Sequence, residues 1–127
     1  PFLARSEILV VMLPLTPQTD GILDAGTLAM LPRGAKLVNV GRGRLIDEDA
    51  LVEALRSGQV AEATLDVFRT EPLPSDSPLW GFDQVLVTPH LASVAIPRTA
   101  ARQIAENLRR LAAGEALLNV VDPQRGY

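Results

Sequence analysis

Three groups of polar residues in this chain each follow an apolar run directly, and together they hold the parts of acid–base and anion chemistry. His90, the single histidine, lies in Thr88-Pro89-His90-Leu91, just past Val85-Leu86-Val87. Arg42 follows Lys36-Leu37-Val38-Asn39-Val40 and stands between Gly41 and Gly43. The acidic pair Asp66 and Glu71 follows Val60-Ala61-Glu62-Ala63-Thr64-Leu65. If the three runs are parallel strands, all three groups open onto the carboxyl edge of one sheet, where open α/β sheets bind ligands. There an arginine can hold a carboxylate through two parallel hydrogen bonds, and a histidine can move a proton near neutral pH.

Each of these residues also has a plainer reading. A lone histidine is more often structural than catalytic, but one that follows Pro89 at a strand end is badly placed for core packing and well placed for a cleft. Arg42 by type alone is a surface residue. Its two flanking glycines let the backbone come close to a ligand, a frame that Arg44 lacks. Glu71, restricted by Pro72, is either a solvated loop acid or a carboxylate bonded to one nitrogen of His90, which would favour the imidazolium. Asp66 ends an apolar strand, so it must accept from a ligand amide or a backbone N–H. Thr16, after Leu13-Pro14-Leu15, is either a turn-forming threonine or a residue that touches a bound ribose. The sequence holds no phosphate-binding P-loop, serine triad or metal cluster, and Gly41-Arg42-Gly43 is not a G-x-G-x-x-G fingerprint.

Composition narrows the classes. With 47% apolar and 21% charged residues, 127 residues suffice for one domain with a real core. A net charge of −3 favours neither nucleic acid nor an anionic membrane as partner. The absence of cysteine excludes disulfides and thiolate metal sites and fits a reducing cytoplasm. No apolar run approaches the ~20 residues that span a bilayer.

The elements that must position the polar groups follow from periodicity. Residues 8–13 form a continuous apolar run, as of a strand buried on both faces. Asp24 caps a helix over 25–31, and a second strand covers 35–40. Asp47 caps a helix over 48–57 that ends at Gly58. A third strand covers 60–67, the proline-rich segment 71–78 is a loop, and a fourth strand covers 84–88. A long helix over 96–113 places Ala100, Ile104, Leu108 and Leu111 on one face and ends at Gly114, before a tail without periodicity. This order predicts an α/β fold with parallel strands and crossover helices.

Leu13-Pro14-Leu15-Thr16-Pro17-Gln18-Thr19, Leu37-Val38-Asn39-Val40-Gly41-Arg42-Gly43, Leu65-Asp66-Val67-Phe68 with Glu71-Pro72, and Thr88-Pro89-His90 resemble the D-isomer-specific 2-hydroxyacid dehydrogenase family in order and spacing. Glu71-Pro72-Leu73-Pro74, Pro78-Leu79-Trp80 and the end from Val121 to Tyr127 look like its glyoxylate/hydroxypyruvate reductase A branch. The resemblance implies the C-terminal half of a Rossmann-type, doubly wound parallel sheet. Residues 1–93 would be the second half of an NAD(P)-binding domain. Residues 94–127 would be a helix and tail returning to a substrate domain.

The resemblance also implies roles. Arg42 would bind and polarise the carboxylate and carbonyl of a small 2-ketoacid such as glyoxylate or hydroxypyruvate. His90 would protonate the carbonyl oxygen, and Glu71 would hold His90. Asp66 would contact the nicotinamide carboxamide, Val40 and Gly41 would line the nicotinamide pocket together with Arg42, and Leu15 and Thr16 would lie by the adenosine. The cofactor would be NADP or NAD, with NADPH favoured, in a cytoplasmic homodimer. The sequence departs from the family's pattern in having neither the N-terminal substrate segment nor the glycine loop; it would begin near the fourth Rossmann strand and run to the natural C-terminus. Asp83-Gln84 also replaces a His-Pro pair that is not catalytic. The chain alone is therefore expected to be inactive and to self-associate. A D-3-phosphoglycerate-type dehydrogenase and a non-catalytic nucleotide-sensing module on the same fold are the alternatives.

Overall fold

In a computed structural model, which describes residues 2–92 and 94–125, four strands form one parallel sheet in the order β1-β2-β3-β4. They are β1 Ile8–Val11, β2 Ala35–Asn39, β3 Val60–Leu65 and β4 Val85–Val87. Helix α1, Ala25–Ala29, links β1 to β2, and α2, Glu48–Ser57, links β2 to β3. A 3-10 turn over Pro78–Gly81 precedes β4, and α3 spans Pro97–Ala113. The chain divides into two compact units, Pro1–Ala92 and Ser93–Tyr127. The expected boundary residue, Ser93, and the Gly126-Tyr127 end of the C-terminal motif lie outside the described residues.

Local chemistry sets the helix ends. The Asp24 carboxylate accepts from Thr27 N–H at 2.8 Å, which is also the first reason its carboxyl titrates below the ordinary range. Asp47 accepts from the N–H groups of Asp49 and Ala50, and Gly58, at φ 71°, closes α2 in the left-handed conformation. α1 stops at Ala29, short of the expected residue 31. The N–H groups of Met30 and Leu31 bond back only three residues, so the last turn tightens ahead of Pro32. α3 begins at Pro97, where a missing N–H costs nothing, with Ile96 as its cap. The expected loop over 71–78 ends at Pro78, where Ser77 caps the 3-10 turn.

The strand ends decide where the site lies. Val11, Asn39, Leu65 and Val87 pair across the sheet as one row, and each is the last residue of its strand. Beyond that row the chains diverge into loops, so β1, β2, β3 and β4 end one or two residues earlier than expected. All four loops leave from one edge.

The core is one cluster in which Leu28, Leu37, Leu45, Leu51, Val60 and Leu79 are almost wholly enclosed. Each such leucine is worth roughly 1.5–3 kcal/mol over leaving it in water. β1 was expected to be buried on both faces, but its burial alternates: Leu9 and Val11 are inside, whereas Ile8 and Val10 are 62% and 50% exposed. Within this unit α1 and α2 join the cluster that covers the inward row. The other row carries an exposed Lys36–Glu62 ion pair at 2.8 Å between register partners.

The second unit is held locally. α3 buries none of its residues. Glu106 pairs with Arg109 and Arg110, Arg109 also reaches Glu115, and Asn107 exchanges two hydrogen bonds with the backbone of Leu118. Among the described residues no helix is long and apolar enough to cross a membrane.

Candidate active site

The loop after β2 carries Arg42 and is pinned from both sides. Asn39, 1% exposed, accepts from Gly41 N–H and donates to the Arg42 carbonyl, both at 3.1 Å. Arg42 Nη1 donates to the Gly41 carbonyl at 2.8 Å. Among the described residues the rest of its guanidinium has no protein partner, and the side chain is exposed. The two glycines do not serve as expected. A Cβ at Gly43 would lie 1.9 Å from the Phe68 carbonyl carbon, and one at Gly41 would lie 2.9 Å from Leu45 Cδ1 and 3.1 Å from the Leu13 oxygen. The space that each glycine leaves is taken by protein, not offered to a ligand. Gly43 thus seats the Arg42 loop directly on the loop that leads to Glu71.

That second loop is closed by its own acid. Glu71 Oε1 accepts from Phe68 N–H at 2.9 Å, and Oε2 lies 2.8 Å from His90 Nδ1. The His90 hydrogen bond, then the Phe68 N–H, hold the Glu71 carboxyl below its ordinary range; burial opposes them, and the charges of His90 and Arg42 add smaller lowering effects. Glu71 is therefore an anion at neutral pH, with Arg42 near enough to contribute.

His90 stands on the loop after β4 in the left-handed region, at φ 54°, which histidine tolerates better than most residues. Asp66 folds the chain around it. The Asp66 carbonyl accepts from His90 N–H at 2.9 Å. Its carboxylate, 3% exposed, accepts from Thr88 Oγ1, from Leu91 N–H at 2.9 Å and from Ala92 N–H at 2.8 Å. These bonds, that of Thr88 first, keep the Asp66 carboxyl below its ordinary range despite burial. Of the two partners expected for Asp66, the backbone N–H groups are the ones seen.

Asp66, Glu71 and His90 line one cavity of about 450 Å³ whose other walls include Phe68, Leu73, Trp80 and Val87. Leu15, Thr16, Val40 and Gly41 stand on the loops after β1 and β2, at the same sheet edge but outside that lining. Thr16 makes the turn: its hydroxyl meets that of Thr19 at 3.1 Å, and its carbonyl accepts from Thr19 and Asp20 N–H. Asn39 and Thr88 escaped the reading of the sequence. Asn39 had a signal, a carboxamide at the end of an apolar strand run; Thr88 had none beyond its place before Pro89.

A parallel α/β sheet with an arginine loop, a histidine–carboxylate pair and a buried aspartate at its carboxyl edge defines a ligand-binding domain of the dinucleotide-binding class. Residues 1–92 match the family model for the D-isomer specific 2-hydroxyacid dehydrogenase, NAD binding domain, and the chain belongs to that family. It is 47% identical over 126 residues to a glyoxylate/hydroxypyruvate reductase A of Serratia proteamaculans (strain 568), covering 99% of this chain and 40% of that relative. A D-isomer specific 2-hydroxyacid dehydrogenase of Xanthobacter autotrophicus Py2, solved with NADPH and MES, is 70% identical with a TM-score of 0.96, over 99% of this chain and 52% of that one. The NADPH-dependent glyoxylate/hydroxypyruvate reductase of Sinorhizobium meliloti, solved with NADP and sulfate, is 39% identical with a TM-score of 0.94, over 99% and 42%. The chain thus spans about two fifths of the length of the curated relative it matches.

Proposed function

We propose that this chain supplies the proton-donating and carboxylate-binding side of an NAD(P)H-dependent 2-ketoacid reductase, with glyoxylate or hydroxypyruvate as substrate. The observation that carries the reading is the 2.8 Å pair of His90 Nδ1 and Glu71 Oε2, set on the same sheet edge as Arg42. With Nδ1 turned to the anionic Glu71, Nε2 is the nitrogen left to face a substrate. Arg42, fork-shaped and still holding free donors, binds the substrate carboxylate and draws charge from the adjacent carbonyl. A nicotinamide cofactor, when bound, would supply the hydride for the carbonyl carbon. The developing alkoxide takes the Nε2 proton of His90, leaving a neutral imidazole and the 2-hydroxyacid.

The cofactor reading has support in this chain's own surfaces. The cavity beside His90 joins apolar walls with Asp66, which suits an uncharged ring bearing a carboxamide. Oδ1 of Asp66 accepts two bonds and Oδ2 only one, so Oδ2 keeps a lone pair for the N–H of such a carboxamide. Half-buried Val40 and buried Gly41 would flank the ring, and Leu15 and Thr16 would lie toward the adenosine. The NADPH and NADP in the two solved relatives favour the phosphorylated cofactor here. A cytoplasmic homodimer completes the reading. Together, Arg42, Glu71 and His90 make a non-catalytic nucleotide sensor the weaker reading.

The test is a chimera in which this chain replaces the matching segment of the Xanthobacter autotrophicus protein. Turnover of glyoxylate or hydroxypyruvate with NADPH is expected, and His90→Gln should lower kcat by roughly 10²–10⁴. Arg42→Lys should raise KM and lower kcat together, because a point charge cannot reproduce the fork. A chimera that binds NADPH but reduces no 2-ketoacid would overturn the reading. The 127-residue chain alone, which has no glycine loop to hold a pyrophosphate, should stay below ~1 s⁻¹.

A further inference from the structure

We propose that Asn39 is a positioning residue for Arg42, fixing the course of its backbone and through it the direction of the guanidinium; this rests on the carboxylate-binding role read for Arg42. Asn39 ends β2 in the row of Val11 and Leu65, both enclosed in the core, and is itself 1% exposed. A leucine would suit that place by polarity alone. A carboxamide there is tolerable only if its donor and acceptor are both used, and here both are spent on the Arg42 loop.

The two bonds span a single peptide. Oδ1 accepts from Gly41 N–H and Nδ2 donates to the Arg42 carbonyl, so the Gly41–Arg42 unit is gripped at both ends. The Gly41 carbonyl, in the middle of that unit, is the acceptor that orients Arg42 Nη1 at 2.8 Å. On the far side, Gly43 lies against Phe68 and Arg69 so closely that no side chain fits. The arginine backbone is therefore held between a buried carboxamide and a neighbouring main chain. Its remaining donors have no protein partner among the described residues. A residue that only stabilised the turn would need no relation to the atom that orients the guanidinium.

The experiment uses the full chain labelled with ¹⁵N, read through the Arg42 side-chain Nε–H and the Gly41 amide. Asn39→Ala should speed Gly41 amide exchange about tenfold relative to Leu65. It should also loosen Arg42 Nε–H toward the mobility of exposed Arg5. Asn39→Asp keeps the acceptor for Gly41 but sets oxygen against the Arg42 carbonyl. It should restore Gly41 protection without restoring Arg42 order, and it serves if Asn39→Ala does not fold. Val38→Ala, a loss of β2 packing alone, should leave Arg42 unchanged. An Arg42 signal as ordered in the Asn39 variants as in the parent would overturn the proposal.

A second arm in the chimera separates this proposal from the reading beneath it. Asn39→Ala should raise the glyoxylate KM about tenfold, and by less than twofold once Arg42→Gln is already present. Equal effects in both backgrounds would also overturn the positioning role. An Arg42→Gln variant with unchanged KM and kcat would instead sink the carboxylate-binding reading, and the ¹⁵N arm would still decide whether Asn39 orders Arg42.

Discussion

Glu71 joins two loops with one carboxylate, Oε1 taking the Phe68 N–H at 2.9 Å and Oε2 facing His90 Nδ1 at 2.8 Å. Replacing it by glutamine keeps the shape and removes the charge. The amide can still accept from Phe68 N–H but no longer sets a full charge against His90 Nδ1. In the chimera, Glu71→Gln should lower kcat with little change in KM, whereas His90→Gln should lower kcat further. A Glu71→Gln variant with the parent's kcat would show that Glu71 does not hold the histidine for the reaction.

Gly43→Ala tests how tightly the arginine loop is seated. The added carbon would fall 2.0 Å from the Phe68 oxygen and 2.5 Å from Arg69 N, both backbone atoms that cannot swing aside. We expect a loss of about 2–3 kcal/mol in chemical denaturation. The loop after β3 should shift with it, so the lone His90 ring signal should change in the same variant. Gly81→Ala, where nothing lies within reach of the new carbon, is the control and should cost little.

Much of this site could be read from the order of residues, and what could not has a physical cause. Apolar runs ending in Arg42, Asp66 and His90 located the sheet edge, because a parallel sheet sends every strand's carboxyl end the same way. Glu71 was legible only as one of two possibilities, since a loop acid and a histidine partner look alike until the loop is closed. At the glycines around Arg42 the close approach of backbone is legible but the neighbour is not: the contact of Gly43 with Phe68 depends on a loop 25 residues away. β1 looked buried on both faces because an apolar run does not show which face of the sheet is covered, and only Leu9 and Val11 face the cluster. Thr88 gave no signal, since its partner Asp66 comes from another strand.

Acid should loosen the second unit through Glu106. Its carboxyl is lowered from 4.5 to about 2 by hydrogen bonds from Arg109 and then Arg110. A depressed carboxyl stabilises the folded form fully above its ordinary value and loses that contribution as pH falls through the lowered one. The amide signals of Asn107 to Leu111 should therefore lose helical character between about pH 4.5 and 2. Glu106→Gln should remove that step, while helicity at pH 7 falls only slightly because the pairs are solvent-exposed. An acid transition in this helix that is identical in parent and variant would assign it to another group.

The edge of the sheet at β1 should draw chains together. Among the described residues β1 pairs with β2 along one side only, and Ile8, Val10 and Met12 are 62%, 50% and 74% exposed. Beside them is an apolar cavity of about 440 Å³ lined by residues that include Phe2, Leu13 and Ile22. An exposed apolar strand with free N–H and C=O groups is a template for a second strand, and charge on such an edge is what blocks it. Light scattering at micromolar concentration should find species heavier than 13.6 kDa. Val10→Lys should shift them toward the monomer without loss of secondary structure. A parent chain that stays a single 13.6 kDa species, stable well above room temperature, would show that this edge recruits no partner.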